Sequence, residues 1–249
     1  MSKNERLIQR IKDELSQVST AEKRESSERY FPQGINCIGA TASDIKLIIS
    51  NFHSTNPELS ANEILCISED ILQSANYSEE VLTAFGLINP LVKKHFNDDL
   101  LFRFEYWLEN YASNWSHVDD LCIKTIYNFL LARPHLIETT QAWTTSKKPW
   151  CRRASNVVWV KFIRRKIGAS IYYLDKSLIF KNCDLLIEDE NIFVQKSIGW
   201  LLKVTLKHHQ KDVIGYLRKN HQLMPRSTII YALEKLDKKH RASLLLEFK

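Results

Sequence analysis

NIFVQKSIGWLLKVTLKH, residues 191–208, is the stretch whose reading decides the fold. At 100° per residue, Val194, Ile198, Leu201 and Leu202 gather on one arc. Lys196, Trp200, Lys203 and Lys207 follow the spacing i, i+4, i+7, i+11 and share an opposite arc of about 60°. No period-two alternation fits, so the segment is a helix with an apolar face and a face on which a tryptophan stands in a row of cations. Such a row suits a surface that grips phosphates and presses a ring on a sugar or base. It equally suits a tryptophan packed on a neighbouring helix with lysine stems stretched around it. The segment alone does not choose between them.

The same periodicity recurs along the chain, and period-two strands are not expected anywhere. Helices are predicted over 3–18, 21–30, 42–54, 61–75, 79–96, 99–112, 116–132, 135–145, 150–167, 171–187, 190–208, 211–219, 224–236 and 238–247. Ser60-Ala-Asn-Glu63 fits a capping box, Ser78 precedes Glu79-Glu80, and Pro134 suits a first helical turn. Connections are short, which favours antiparallel neighbours, and pairs recurring about every 35–45 residues suggest HEAT-type repeats. The expected fold is therefore all-α, a curved solenoid of antiparallel HEAT-like helix pairs forming one domain over 1–249. A ligand is expected on its concave surface.

Several function classes fall away. Neither GxGxxG nor GxxxxGK[ST] occurs, which argues against a nucleotide site. The opening MSKNERLIQRIKDEL is charged amphipathic helix, and no apolar run approaches the ~18 residues of a membrane span, so the expectation is a cytosolic protein without membrane contact. Cys37, Cys66, Cys122, Cys151 and Cys183 are scattered and never in CxxC spacing, and the histidines form no HExxH, so reduced thiols and no metal site are expected. Charge is strongly divided. Residues 1–125 carry 12 Lys+Arg against 19 Asp+Glu, and residues 126–249 carry 23 against 10, so a net −7 precedes a net +13. A basic second half points to a polyanionic partner.

One carboxylate sits on an unexpected face. In WSHVDDLCI, residues 115–123, a helix running to about Ala132 places Ile123, Ile126 and Leu130 within roughly 40° of Asp119, with Trp115 one turn earlier on that side. Asp120 points instead towards Lys124. Burying an unpaired charge is costly, so Asp119 needs a reason. One reason is local: Ser116-x-x-Asp119 resembles a capping box, and the dipole favours a first-turn carboxylate. The other is a functional site. A further helix starts near KKPWCRRA, residues 147–154, and is closed by Lys161, Arg164, Arg165 and Lys166. Cations at a helix start are not explained by the dipole, so Arg153 needs a carboxylate or a phosphate as partner.

Taken together, these segments resemble the DNA alkylation repair glycosylases of the AlkD-like, HEAT-repeat family. Trp115-Ser-His-Val-Asp119 resembles the family's Trp-x-x-x-Asp segment. Trp150-Cys-Arg-Arg153-Ala154 resembles its Trp-x-x-Arg-Ala segment, with Lys161 matching a later lysine. Gln195-Lys196-Ser-Ile-Gly199-Trp200 resembles Gln-Lys-x-Ile-Gly-Trp, the most specific of the three. Arg29-Tyr30 and Ile38-Gly39 resemble the family's N-terminal part. The resemblance implies excision of cationic N3- and N7-alkylated purines (3-methyladenine, 7-methylguanine) from duplex DNA by a monomer using neither metal nor cofactor. It implies a catalytic cleft of Asp119, Trp115 and Trp200, with Arg153 on the DNA backbone near the lesion. Lys161, Lys196, Lys203, Lys207 and Tyr30 complete the expected DNA contacts. Two rivals share the fold: a DNA-binding relative that excises nothing, and a helical-repeat scaffold for proteins.

Overall fold

Start signals written in the sequence set the first helices. The computed structural model describes residues 2–248, and the chain divides into two compact units, one up to Leu100 and one from Leu101 onward. In the first, α1 (Lys3–Val18), α3 (Ala42–Thr55) and α4 (Ala61–Gln73) each begin with a full capping box, Ser2 with Glu5, Thr41 with Asp44 and Ser60 with Glu63. Between them α2 spans Ala21–Glu28, capped by Thr20. The last helix of the unit, α5 (Ser78–Leu87), starts one residue before its predicted place, with Tyr77 as N-cap. It stops well short of residue 96, because Pro90 removes a donor and disfavours helical backbone at Asn89.

Glu79 organises this unit. It is 4% exposed, and its carboxylate accepts the backbone N–H groups of Ile38, Gly39 and Ala40 at 3.0, 2.8 and 3.2 Å. Bringing three successive amides onto one carboxylate bends the chain at Gly39, whose φ is +100°. A Cβ there would lie 2.5 Å from the Thr20 carbonyl oxygen. That explains the glycine of the Ile38-Gly39 pair.

The second unit repeats a two-layer pattern. Here α7 (Trp115–Asp120), α9 (Pro149–Val157), α11 (Ile192–Leu206) and α13 (Arg226–Ala232) lie side by side in that order. Against them pack a 3₁₀ segment over Glu138–Thr145, α10 (Lys176–Leu186) and α12 (Gln210–Asn220). The unit opens with α6 (Leu100–Asn110) and closes with α14 (Lys238–Glu247). Val194, Ile198, Leu201 and Leu202 are all fully buried, as their shared arc requires. The six tryptophans divide cleanly: Trp107, Trp143 and Trp159 are sealed in the core, whereas Trp115, Trp150 and Trp200, one each on α7, α9 and α11, are only partly covered.

All-α helical-repeat architecture is what the sequence predicts, with three local departures. The helix expected over 116–132 is α7, then a π-helical turn over Leu121–Ile126, then α8 (Tyr127–Leu131). The helix expected over 135–145 is 3₁₀, because Thr139, Thr140, Thr144 and Thr145 each bond the carbonyl three residues back and compete with the α ladder. The helix expected over 150–167 ends at Val157, and a β-hairpin follows: β1 (Arg164–Ile167) antiparallel to β2 (Ser170–Tyr173). Gly168 at φ +59° opens its two-residue turn, the backbone a II′-type hairpin needs there. The helix predicted from 171 consequently starts at Lys176.

Gly39→Ala should cost at least about 2 kcal/mol, since the substitution combines a left-handed backbone with a backbone clash. A urea unfolding curve checks this, and a midpoint matching wild type would contradict the role given to Gly39.

Candidate functional site

Asn114 caps α7, its side-chain oxygen accepting the His117 N–H at 3.1 Å. The capping-box reading of Asp119 is thereby corrected, because Asp119 is the fifth helical residue and its carboxylate serves another helix. Arg153 on α9 meets it in a two-pronged pair: Nε donates to Oδ1 at 3.0 Å and Nη2 to Oδ2 at 2.9 Å. The same guanidinium donates from Nη1 to the Phe193 carbonyl at 2.6 Å, in the first turn of α11. One arginine thus joins α7, α9 and α11, with three of its five N–H donors engaged inside the protein. Of the two partners left open for Arg153 by the sequence, the carboxylate is the one present. Arg153 is 5% exposed, and the Asp119 side chain 16%.

Burial pushes the Asp119 carboxyl above the usual carboxylate range, opposed by the charge and hydrogen bonds of Arg153. Asp120 pairs with Lys124 at i,i+4, but it does not turn to water: its side chain is 18% exposed against 16% for Asp119, and burial pushes its carboxyl up as well, opposed by Lys124. Arg152, adjacent to Arg153, is committed elsewhere. It holds Asp189 through Nε at 2.5 Å and bonds the carbonyls of Ser146 and Lys147 through Nη1 at 3.0 and 3.2 Å.

The segment Gln195–Trp200 separates into inward and outward residues. Gln195 donates to the carbonyls of Leu186, Ile187 and Asp189, closing the end of α10. Ser197 accepts from Asn156 on α9 at 2.9 Å, and Asn182 on α10 donates to Asn156 at 2.7 Å, so a buried polar chain sets the register of three helices. Gly199 admits α13: a Cβ there would lie 3.0 Å from the Thr228 carbonyl and 3.1 Å from the Tyr231 ring. What remains facing outward is Lys196, above the Phe193 ring at 5.2 Å, and Trp200. Among the described residues no ring stacking, cation–π pairing or side-chain hydrogen bond engages Trp200. It stands two turns beyond Phe193, about 10 Å along the axis.

The other expected contacts have diverse settings. Lys203 is partly covered, 3.8 Å above the Tyr231 ring and 3.3 Å from a Glu234 carboxylate oxygen. Lys207, at the end of α11, is exposed. Lys161 lies past the end of α9 rather than on it, donating to the Ile123 carbonyl at 2.7 Å within the π turn and sitting 4.5 Å above the Tyr127 ring. Trp115 is half-buried one turn before Asp119. Tyr30, 71% exposed, belongs to the first unit, as does the Glu79 nest. Oxygens of Glu105 and Glu109 and the Cys151 sulfur lie within 4.8 Å of one another. Glu109 accepts from Ser146 at 2.5 Å and Glu105 hydrogen-bonds Trp143, so the trio is tied into the protein, and burial pushes the Cys151 thiol up to about 12. No described helix is long and apolar enough to cross a membrane.

Sequence reasoning missed three contributors: the Phe193 carbonyl, the Asn156–Ser197–Asn182 chain and the π turn. The polar residues on the inner arcs of α9 and α11 were a visible signal for the second. A main-chain oxygen and a π turn without Gly or Pro leave none.

The fold agrees with the comparisons. The model of the DNA alkylation repair enzyme family matches residues 11–236, and the chain belongs to that family. In structure it is similar to a predicted DNA alkylation repair enzyme from Enterococcus faecalis, with a TM-score of 0.75 at 16% identity over 88% of this chain and 97% of that one. It is also similar to the Pseudomonas fluorescens alkylpurine DNA glycosylase AlkC bound to DNA containing an abasic-site analogue. There the TM-score is 0.58 at 19% identity over 97% of this chain and 66% of that one. No curated protein matches in sequence.

Arg153→Ala would leave the Asp119 carboxylate buried without its partner and the Phe193 carbonyl without its donor. The expected loss is about 3 kcal/mol of stability, read as a lowered urea midpoint. A variant as stable as wild type would show that the pair does not hold the three helices.

Proposed function

We propose that this family member is a DNA glycosylase that hydrolyses the N-glycosidic bond of cationic N3- and N7-alkylated purines in duplex DNA. The observation that carries the reading is the carboxylate of Asp119 on α7, largely covered and held by Arg153 of α9, in a row of helices α7, α9 and α11 that each bear a partly open tryptophan. Such a carboxylate is expensive to keep, and capping does not account for it. Support also comes from AlkC, whose structure was determined with DNA containing an abasic-site analogue.

The chemistry follows from charge. A cationic alkylpurine departs without being protonated, so the reaction needs no general acid. As the bond to the base lengthens, positive charge develops on the deoxyribose. Asp119, preplaced in a site of low local dielectric, stabilises that charge and orients the attacking water. Two of its roughly four lone-pair positions are taken by Arg153, and the others are left for sugar and water. Trp115 and Trp200 hold the sugar between ring faces that attract cationic character, each contributing about 0.5–2 kcal/mol. Arg153 acts through Asp119 as a positioning residue, keeping the carboxylate ionised despite burial. A phosphate contact falls to its two uncommitted N–H donors. Lys161, Lys196, Lys203, Lys207 and, from the first unit, Tyr30 bind the DNA backbone, with 1–249 working as one glycosylase domain, a monomer without metal or cofactor.

Asp119→Asn should lower release of free 7-methylguanine from a duplex by about 10²–10³-fold while DNA affinity stays near wild type. A DNA-binding relative without activity would release no base in either form. A protein scaffold would show none of the steep salt dependence of duplex binding.

The pH profile offers a separate check. Only the ionised carboxylate stabilises the sugar, and its pKa is raised, so release should fall on the acid side above the ordinary aspartate value near 3.8. In Arg153→Ala the lowering influence of the guanidinium is gone, and the acid limb should move to still higher pH. An acid limb unmoved by that substitution would remove Asp119 from the reaction.

A further inference from the structure

The β-hairpin is the feature that the proposed chemistry leaves unused. Strand pairing sorts its side chains by face: Arg164 is opposite Tyr173 and Lys166 opposite Ile171, while Arg165 pairs with Tyr172 and Ile167 with Ser170. In the second set Tyr172 and Ile167 are partly covered by the body of the unit, while Arg165 and Ser170 remain exposed. Tyr172 meets Phe162 edge to face at 6.3 Å, and Arg165 lies 5.1 Å from the Tyr127 ring. The first set faces water. Arg164 and Lys166 are exposed, Ile171 is 45% exposed and Tyr173 58%. Alternation buries one face of an ordinary hairpin and makes the other polar. Here the outer face instead carries two cations directly opposite an aromatic and an aliphatic side chain, with Arg164 donating to the Tyr173 hydroxyl at 3.1 Å.

No described carboxylate pairs with Arg164 or Lys166. Their neighbourhood adds positive charge: the pKa of His208, just past α11, is lowered by burial and then by the charges of Lys207 and Arg164. The hairpin is anchored on α8, the helix that follows α7 and its π turn: Arg165, like Lys161 just before β1, lies on the Tyr127 ring. Tyr127 follows Asp119 by eight residues, six of them in the π turn, so the two lie on the order of 10 Å apart along the axis. Duplex DNA presents one phosphate per 3.4 Å of each strand, so that distance corresponds to only a few nucleotides.

We propose that the outer face of this hairpin, Arg164, Lys166, Ile171 and Tyr173, is a second DNA-binding element that lies along the duplex backbone a few nucleotides from the Asp119 site. Arg164 and Lys166 neutralise phosphates, and Tyr173 and Ile171 cover sugar edges. The proposal deepens the glycosylase reading and rests on its duplex partner.

The test is fluorescence anisotropy of the full chain with a labelled duplex of about 20 base pairs across a range of KCl concentrations. Wild type is compared with Arg164→Gln/Lys166→Gln and with Ile171→Ala/Tyr173→Ala. Losing two phosphate contacts should weaken binding at least several-fold and make the log–log salt slope shallower by about 1.8. The apolar pair should weaken binding and leave the slope unchanged. Affinity within twofold of wild type in both doubles, with an unaltered slope, would overturn the proposal. Its failure is separable from that of the glycosylase reading. Wild type that releases 7-methylguanine while the doubles bind normally removes only the hairpin, whereas wild type that binds but releases nothing removes the catalytic account and leaves the arm intact.

Discussion

Everything at the candidate site depends on one buried ion pair. Asp119 and Arg153 meet through two hydrogen bonds, and the third bond of Arg153, to the Phe193 carbonyl, extends the link to another helix. Removing two charges from water costs several kcal/mol per ion, and excellent geometry is what offsets that cost. A pair of apolar side chains would join α7 to α9 at less expense. Retaining the pair makes sense where a negative charge is wanted in that position, ready before a substrate arrives. On the proposed reading, the pair that joins the helices of the unit also carries its chemistry.

Around that pair the unit uses polar bonds for register and apolar contact for mass. The Asn156–Ser197–Asn182 chain fixes how α9 slides against α11 and α10, which in turn fixes where Arg153 meets Phe193. Gly199 lets α13 approach the other flank of α11. The outward residues of the same stretch, Lys196 and Trp200, are free to differ in purpose because the inward ones hold the helix. A short motif thus carries two independent demands, four positions for packing and two for what approaches from outside.

The π turn after Asp120 and the β-hairpin after α9 are departures from regular helix, and both border this region. Lys161 joins them, donating to the Ile123 carbonyl inside the π turn from a position just before β1. Non-α geometry is sparse in a helical-repeat protein and often accompanies function. Here it redirects the chain beside the charged helices and exposes a strip of cations and apolar side chains that an unbroken helix would have distributed around its axis.

Residue spacing alone was enough for the helical class, the core arc of α11, the pairing of Asp120 with Lys124 and the anomaly of Asp119, because a 3.6-residue period is a local property of the chain. The capping boxes of α4 and the first turn at Pro134 were legible for the same reason. What Asp119 meets was not legible, since Ser116-x-x-Asp119 mimics a cap and only the neighbouring helix shows the carboxylate engaged by Arg153. The ion pair spans 34 residues and the Phe193 bond 40, separations at which sequence names candidate charges but packing selects the partners. The π turn and the hairpin were hidden for a related reason: tertiary contacts overrode a pattern that, residue by residue, still reads as helix.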